Sequence, residues 1–331
     1  MSAKGYGKAS GAGTVINAIA TYKGSAFGID RWTYAEVELG EDFKGIEAHT
    51  ELESELELEL EGERDKDRDR GRDVDIDTRL IERCLELVLK KFNLPLCGYV
   101  YTRSEIPVGS GLKSSSAAAN ATVVAALDAI GAGADMDALD AIRIGVNAAL
   151  DTGVSITGAF DDACASLLGG VVITDNMKKE LIMREEKDSG VLIFVPEEKA
   201  FTANTDVQRS RLVAPWVDIA YELALASKFE DAMTLNGFLY CAALNFSPEP
   251  MLKALECNVR GVSLSGTGPS FVALVDRTAE AELYRAWSEL DIEGRIIKTR
   301  INNEPAYKYD YNVNGNEDGG GGYLRDGFYS K

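Results

Sequence analysis

Two groups of residues in this chain have the types and spacing to do chemistry. The first is Pro107-Val-Gly-Ser-Gly-Leu-Lys-Ser-Ser-Ser-Ala117, a glycine-rich turn that ends in three consecutive hydroxyls and carries one lysine. Glycines let a backbone turn tightly against a ligand, and the start of a helix presents unpaired N–H groups at the positive end of its dipole. Such a mouth suits a phosphate. It is not a Walker loop, which places Gly directly before Lys-Ser, where this chain has Leu112. The second group is Asp161-Asp162, two carboxylates opening a small-residue segment behind Gly158-Ala159. An acidic pair at a helix start is also a common electrostatic cap. Here the small residues before it leave room for a ligand.

A second glycine loop, Ser265-Gly-Thr-Gly-Pro-Ser270, lies in the other half of the chain. Taken alone it reads equally well as a tight turn. Two such loops with carboxylates between them suit a triphosphate gripped from two sides. Transfer of a phosphoryl group needs charge neutralisation at the phosphates, a metal ion, and a group that orients or deprotonates the acceptor. Phosphate contacts are therefore expected from Gly109, Ser110, Gly111, Leu112, Lys113, Ser114, Ser115 and Ser116, and from Gly266, Thr267 and Gly268. Asp161 and Asp162 are the candidate bases.

The elements that must position these groups follow from hydrophobic period. A strand (98–103) leads into the first loop, and an alanine-rich helix leaves it, running to about residue 130. Before them come a small-residue segment (3–30), a strand (32–39) and an alternating Leu/Glu strand (51–61). A mixed-charge run to Asp77 then reads as a solvated hairpin tip, with Asp77 capping the next helix. A helix at 136–150, the carboxylate segment and a strand (171–174) close the first half. After about Asn176 the pattern gives a strand (191–195), helices at 213–228 and 230–244 and a third opened by Pro248. Two strands around the second glycine loop, a helix (280–289) and a strand (294–300) complete it. The expected domains are 1–176 and 177–303, with an Asn/Gly-rich, disordered tail from 304 to 331.

Composition narrows the function classes. Net charge is −19, from 35 basic and 54 acidic residues, which argues against nucleic acid or an anionic membrane as partner. Residues 51–77 alone hold 13 acidic and 5 basic side chains, a local −8. His49 is the sole histidine, so Ser-His hydrolysis and multi-histidine metal chemistry are out. The five cysteines are widely spaced and read as free thiols, four of them in apolar segments. With no 18-residue apolar run and no leader-like start, the chain is expected to be cytoplasmic.

The motif Pro-X-Gly-X-Gly-Leu-X-Ser-Ser at 107–115 resembles the second motif of the GHMP kinases. Residues 265–270 resemble their third, and Gly7-Lys-Ala with Gly11-Ala-Gly13 resembles a variant of their first. Gly-Ser-Gly-Leu-Lys-Ser-Ser-Ser-Ala, Gly-Ala-Phe-Asp-Asp-Ala and the ending Thr299-Arg-Ile-Asn-Asn are similar to the archaeal-type shikimate kinases of that superfamily. The resemblance spans about residues 3–303, with 41–76 and the tail uncovered. It implies an α+β, two-domain fold: an N-terminal domain like domain 2 of ribosomal protein S5 and a ferredoxin-like C-terminal domain. It implies ATP and Mg2+ as partners and the 3-hydroxyl of shikimate as acceptor.

By the same resemblance Ser115 takes the metal-binding serine's place, and Asp162, seven residues before Gly169, that of the catalytic aspartate. Asp161 remains the second choice. Asp151, eleven residues before Asp162, stands where relatives carry a metal-binding glutamate. Lys113 fits the archaeal pattern and is expected to offset phosphate or carboxylate charge. Substrate contacts are expected from Gly11, Gly13 and Asp30, with Arg209 and Arg211 as candidates for the substrate's carboxylate. Homoserine and mevalonate kinases are the alternative activities, and a nucleotide sensor without turnover is the alternative class.

Overall fold

The fold comes from a computed structural model, which describes residues 2–52, 77–133, 136–155, 157–197 and 207–307. The acidic run, most of the Leu/Glu strand and the tail beyond 307 lie outside those residues.

Two sheets organise the chain. The first has strand order β3-β4-β2-β5-β6, with β1 paired to β2. Its members are β1 (Ala3–Ile16), β2 (Lys23–Leu39), β3 (Ile46–Leu52), β4 (Gly98–Ser104), β5 (Val171–Asp175) and β6 (Glu180–Glu185). The second is antiparallel, in the order β10-β7-β9-β8. It comprises β7 (Gly190–Pro196), β8 (Gly261–Leu264), β9 (Phe271–Val275) and β10 (Gly294–Arg300).

Helices α1 (Arg79–Lys91), α2 (Ser114–Ala129), α3 (Ala138–Asp151) and α4 (Phe160–Leu168) belong to the first half. The second holds α5 (Val207–Arg211), α6 (Ala214–Leu225), α7 (Phe229–Leu244), α8 (Glu249–Glu256) and α9 (Arg277–Ser288). Helix α1 begins one residue later than expected. Its N-cap is Thr78, while Asp77 Oδ1 accepts the Arg79 N–H at 3.1 Å.

Helix α2 is the spine of the first half. Alanine-rich sequence gives it high helix propensity, and it is buried nearly all round, as a core helix must be. It lies so close on β1 that a Cβ on Gly7 would stand 2.5 Å from Ala121 O. That contact explains the small-residue segment. Residues 3–16 form a strand whose side chains have to vanish where the helix backbone rests on them.

Two boundaries differ from expectation. Strand β6 pairs with β5 and carries the first sheet past residue 176 to Glu185. Residues 301–307 do not trail away but return to that sheet. Ile301 bridges Ile29, Tyr307 bridges Lys8, and the Ala306 N–H donates to Leu167 O at 2.6 Å. Lys8 Nζ lies over the Trp32 and Tyr307 rings, 4.6 and 4.7 Å from their centroids, which fastens the returning segment. All five cysteines are free, and Cys97 alone of them is not buried. Among the described residues no helix is long and apolar enough to cross a membrane.

Candidate active site

Helices α2 and α4 both begin from a residue in the left-handed region, Lys113 (φ 66°) and Ala159 (φ 46°), and neither of those residues caps its own helix through its side chain. A non-glycine residue held there costs about 1–2 kcal/mol, and such strain gathers at functional sites. Both helix starts open on one cavity of about 420 Å³. Gly109, Gly111, Lys113 and Ser114–Ser116 line it from α2, and Asp161 and Asp162 from α4. Gly266 and Thr267 of the second glycine loop complete that wall, with Asn17–Ile19 from the turn after β1.

The two glycine loops touch. Ser265 Oγ donates to Gly111 O at 2.8 Å, and the Ser270 N–H donates to Ser110 O at 3.2 Å. Gly111 has φ 81°, and a Cβ on it would stand 2.2 Å from Ser265 O, so only glycine fits. The second loop is also pinned to β1, because the Gly266 N–H donates to Thr14 Oγ1 at 2.8 Å and Asn17 Nδ2 donates to Gly266 O at 2.7 Å.

Lys113 and Asp162, both lining the cavity, form a direct ion pair, Nζ to Oδ1 3.0 Å, with side chains only 9% and 13% exposed. Burial pushes the Asp162 carboxyl up from the usual range, and the Lys113 ammonium opposes that rise. Asp161, 4% exposed, is pushed up to about 7, first by burial and then by the charge of Asp162, against the pull of Lys113 and Asn176.

Asn176, just beyond β5, grips Asp161 twice. Its Nδ2 donates to Asp161 Oδ1 at 2.7 Å, and its Oδ1 accepts the Asp161 N–H at 3.2 Å. Gly24 of β2 makes the room: a Cβ there would stand 2.5 Å from Asp161 Oδ2. A Gly24→Ala substitution is therefore expected to displace the start of α4. Urea unfolding should register about 1–3 kcal/mol of lost stability, and kcat should fall about 10–100-fold.

Several expected contacts lie elsewhere. Ser110 is buried, with Oγ donating to Pro107 O at 2.6 Å, and Leu112 is a core residue whose carbonyl accepts the Ala12 N–H. Gly268 packs on Phe246. None of the three lines the cavity.

Asp151, at the end of α3, has its Oδ2 held by Arg83 Nε and Nη2 at 2.9 and 2.6 Å and does not itself line the cavity, although the neighbouring Thr152 and Gly153 do. Gly11 and Gly13 are packing positions in β1, against Ile106 and the Phe27 ring. Asp30 accepts from Trp32 Nε1 at 2.8 Å and pairs with Arg300 at 3.1 Å. Arg209 donates to Ala242 O, Arg211 is exposed at the end of α5, and neither lines the cavity. Arg209 and Arg211 rested on residue type, with no pattern to fix their direction. Asn176 and Asn17 were missed because neither belongs to a spaced motif.

The family model described as GHMP kinases N terminal domain matches residues 79–170, and the one described as GHMP kinases C terminal matches 219–292. A shikimate kinase of Methanosarcina mazei is 56% identical over 309 residues, covering 93% of this chain and 98% of the relative. One from Methanococcoides burtonii is 52% identical, over 92% and 98%. Among solved structures, a homoserine kinase from Cytophaga hutchinsonii superposes with a TM-score of 0.66 at 16% identity, over 93% and 97% of the two chains. A Lactococcus lactis galactokinase complexed with galactose does so at 0.66 and 15%, over 92% and 94%. At those identities the likeness speaks for the fold alone.

Proposed function

Since the chain belongs to the GHMP kinase family, we propose that it transfers the γ-phosphoryl group of ATP to the 3-hydroxyl of shikimate, giving shikimate 3-phosphate and ADP. The substrate follows from the near full-length likeness to relatives named shikimate kinase. The chemistry rests on one observation: an uncapped glycine-loop helix start and a lysine–carboxylate pair share one cavity.

In this reading the free N–H groups of α2's first turn and the hydroxyls of Ser114–Ser116 hold phosphate oxygens. Asp162 is the base. It takes the proton of the attacking hydroxyl as the oxygen bonds to the γ-phosphorus and ADP leaves. Lys113 sets the direction of that carboxylate and offsets negative charge as it builds. The second loop, tied to the first through Ser265 and Ser270, limits how far the mouth can widen.

Ser115, exposed at the first turn of α2, is the residue that would hold Mg2+. Among the described residues no three His, Cys, Asp or Glu side chains are placed to hold a metal ion. That suits magnesium bound mainly through substrate phosphates and water, with one or two protein oxygens. When bound, the ion neutralises phosphate charge and orients the leaving group.

A coupled assay of ADP release with shikimate, homoserine and mevalonate tests the substrate. Turnover is expected with shikimate. Turnover of another alcohol with shikimate inert would replace it, and nucleotide binding without any turnover would make the chain a sensor.

A further inference from the structure

We infer that Asn176 is a positioning residue of the phosphoryl transfer, a cap supplied from outside α4 that fixes where Asp162 points. The inference rests on Asp162 being the base, as proposed above.

A helix leaves its first N–H groups without intrahelical partners, and the N-cap side chain ordinarily accepts one of them. Ala159 has no side chain able to do so. Asn176 does it instead, from the end of β5, through Oδ1 to the Asp161 N–H at 3.2 Å. The amide cannot turn over. The Asp161 N–H can only donate, so Oδ1 must face it and Nδ2 lies toward the carboxylate, donating to Asp161 Oδ1 at 2.7 Å, while Thr174 Oγ1 adds a second donor to the amide oxygen at 2.7 Å. The main chain of Asn176 is anchored as well, since its N–H donates to Tyr22 O at 2.8 Å. Residue 161 is thus held at both backbone and side chain, and Asp162 is the next residue along. Its bearing on Lys113 is set by that grip.

The second consequence is electrostatic. A buried donor aimed at Asp161 favours its ionised form. With Asp161 ionised, its charge beside Asp162 makes the latter a stronger proton acceptor, so the form with both carboxylates ionised is the active one. The charged or titratable groups around Asp161 are Asp162 and Cys164 on its own helix, Lys113 at the start of α2 and Tyr240 on α7. Arg143 of α3 is felt at Cys164. From β2 the Gly24 backbone packs against the carboxylate.

The test is the pH profile of kcat, with KM for both substrates, in Asn176→Ala. Expected is a fall in kcat of about 10–100-fold, the cost of a slightly misplaced reacting group, with both KM values within about threefold of wild type. The acid limb should move to higher pH, because Asp161 without its donor keeps its proton longer. A folded variant with wild-type kcat and acid limb, whatever its melting temperature, would reduce Asn176 to a structural residue and overturn the inference. If Asn176→Ala does not fold, Thr174→Val decides. It keeps the shape of β5 but removes the hydroxyl that donates to the amide oxygen, and a smaller shift of the same sign is expected. An unshifted profile there overturns the inference equally. Wild-type turnover of shikimate, measured alongside, tests the substrate separately, since the clamp is read against whichever alcohol the wild type phosphorylates.

Discussion

An Asp162→Asn enzyme is expected to lose about two to four orders of magnitude in kcat, the usual contribution of a positioned general base, while ATP binding survives. The substitution keeps the size of the side chain and leaves the α2 mouth untouched. It removes the negative charge that meets Lys113 at 3.0 Å and that, in the proposed mechanism, accepts the proton. Steady-state kinetics with calorimetric titration of a nonhydrolysable ATP analogue separates the two effects. The comparison with Asp161→Asn is the sharper half of the experiment. Asp161 faces Asn176 and Gly24, so its variant should retain more activity than the Asp162 variant. The opposite ranking would exchange the roles of the two carboxylates.

Lys113→Met is the second large expected effect. The lysine and Asp162 are both mostly buried, and breaking a buried pair from one side leaves an uncompensated charge worth about 3–5 kcal/mol. Part of that is relieved by protonation. The sign is fixed by the causes acting on Asp162: burial raises its pKa and the ammonium lowers it, so removing the ammonium raises it further. The acid limb of kcat should move to higher pH, and the rate at neutral pH should drop by about two orders of magnitude, as when one preorganised charge is lost. Nothing else in Met can hold the carboxylate, so raising the pH should recover only part of the rate. An unchanged pH–rate profile would show that Lys113 serves the phosphates and not the base.

Legibility in the sequence tracked physical cause. Helix α2 and the glycine turn that opens it were readable because glycines, hydroxyls and an alanine run each state a local preference. Helices α1, α3, α6 and α7 followed from apolar spacing, and the second sheet's inner strands from unbroken apolar runs such as Val191–Val195 and Phe271–Val275. Strand β1 was hidden because its composition answers to the helix lying on it and not to strand propensity. Strand β6, Glu180-Leu-Ile-Met-Arg-Glu, has no fully buried position and so gives no clean alternation. At the site, Lys113 and the Asp161–Asp162 pair were legible as types at helix starts. That they meet in one cavity is a tertiary fact. Asn176 joins them only because the end of β5 arrives beside the start of α4, and nothing local to residue 176 announces it. The arginines of α5 illustrate the converse, since charge suited to a ligand says nothing about where the side chain points.

The return of residues 301–307 to the first sheet has a consequence for how the molecule is made. Lys8 and Ile29 leave the ribosome early, but their partners Tyr307 and Ile301 emerge only after both halves of the chain. The N-terminal unit therefore cannot close its last pairings until both halves have been synthesised, and its completion waits on some of the longest loop closures in the protein. The step that seals Ala306 against the end of α4 is thus a late checkpoint on the whole assembly, set within two turns of Asp162 on the same helix.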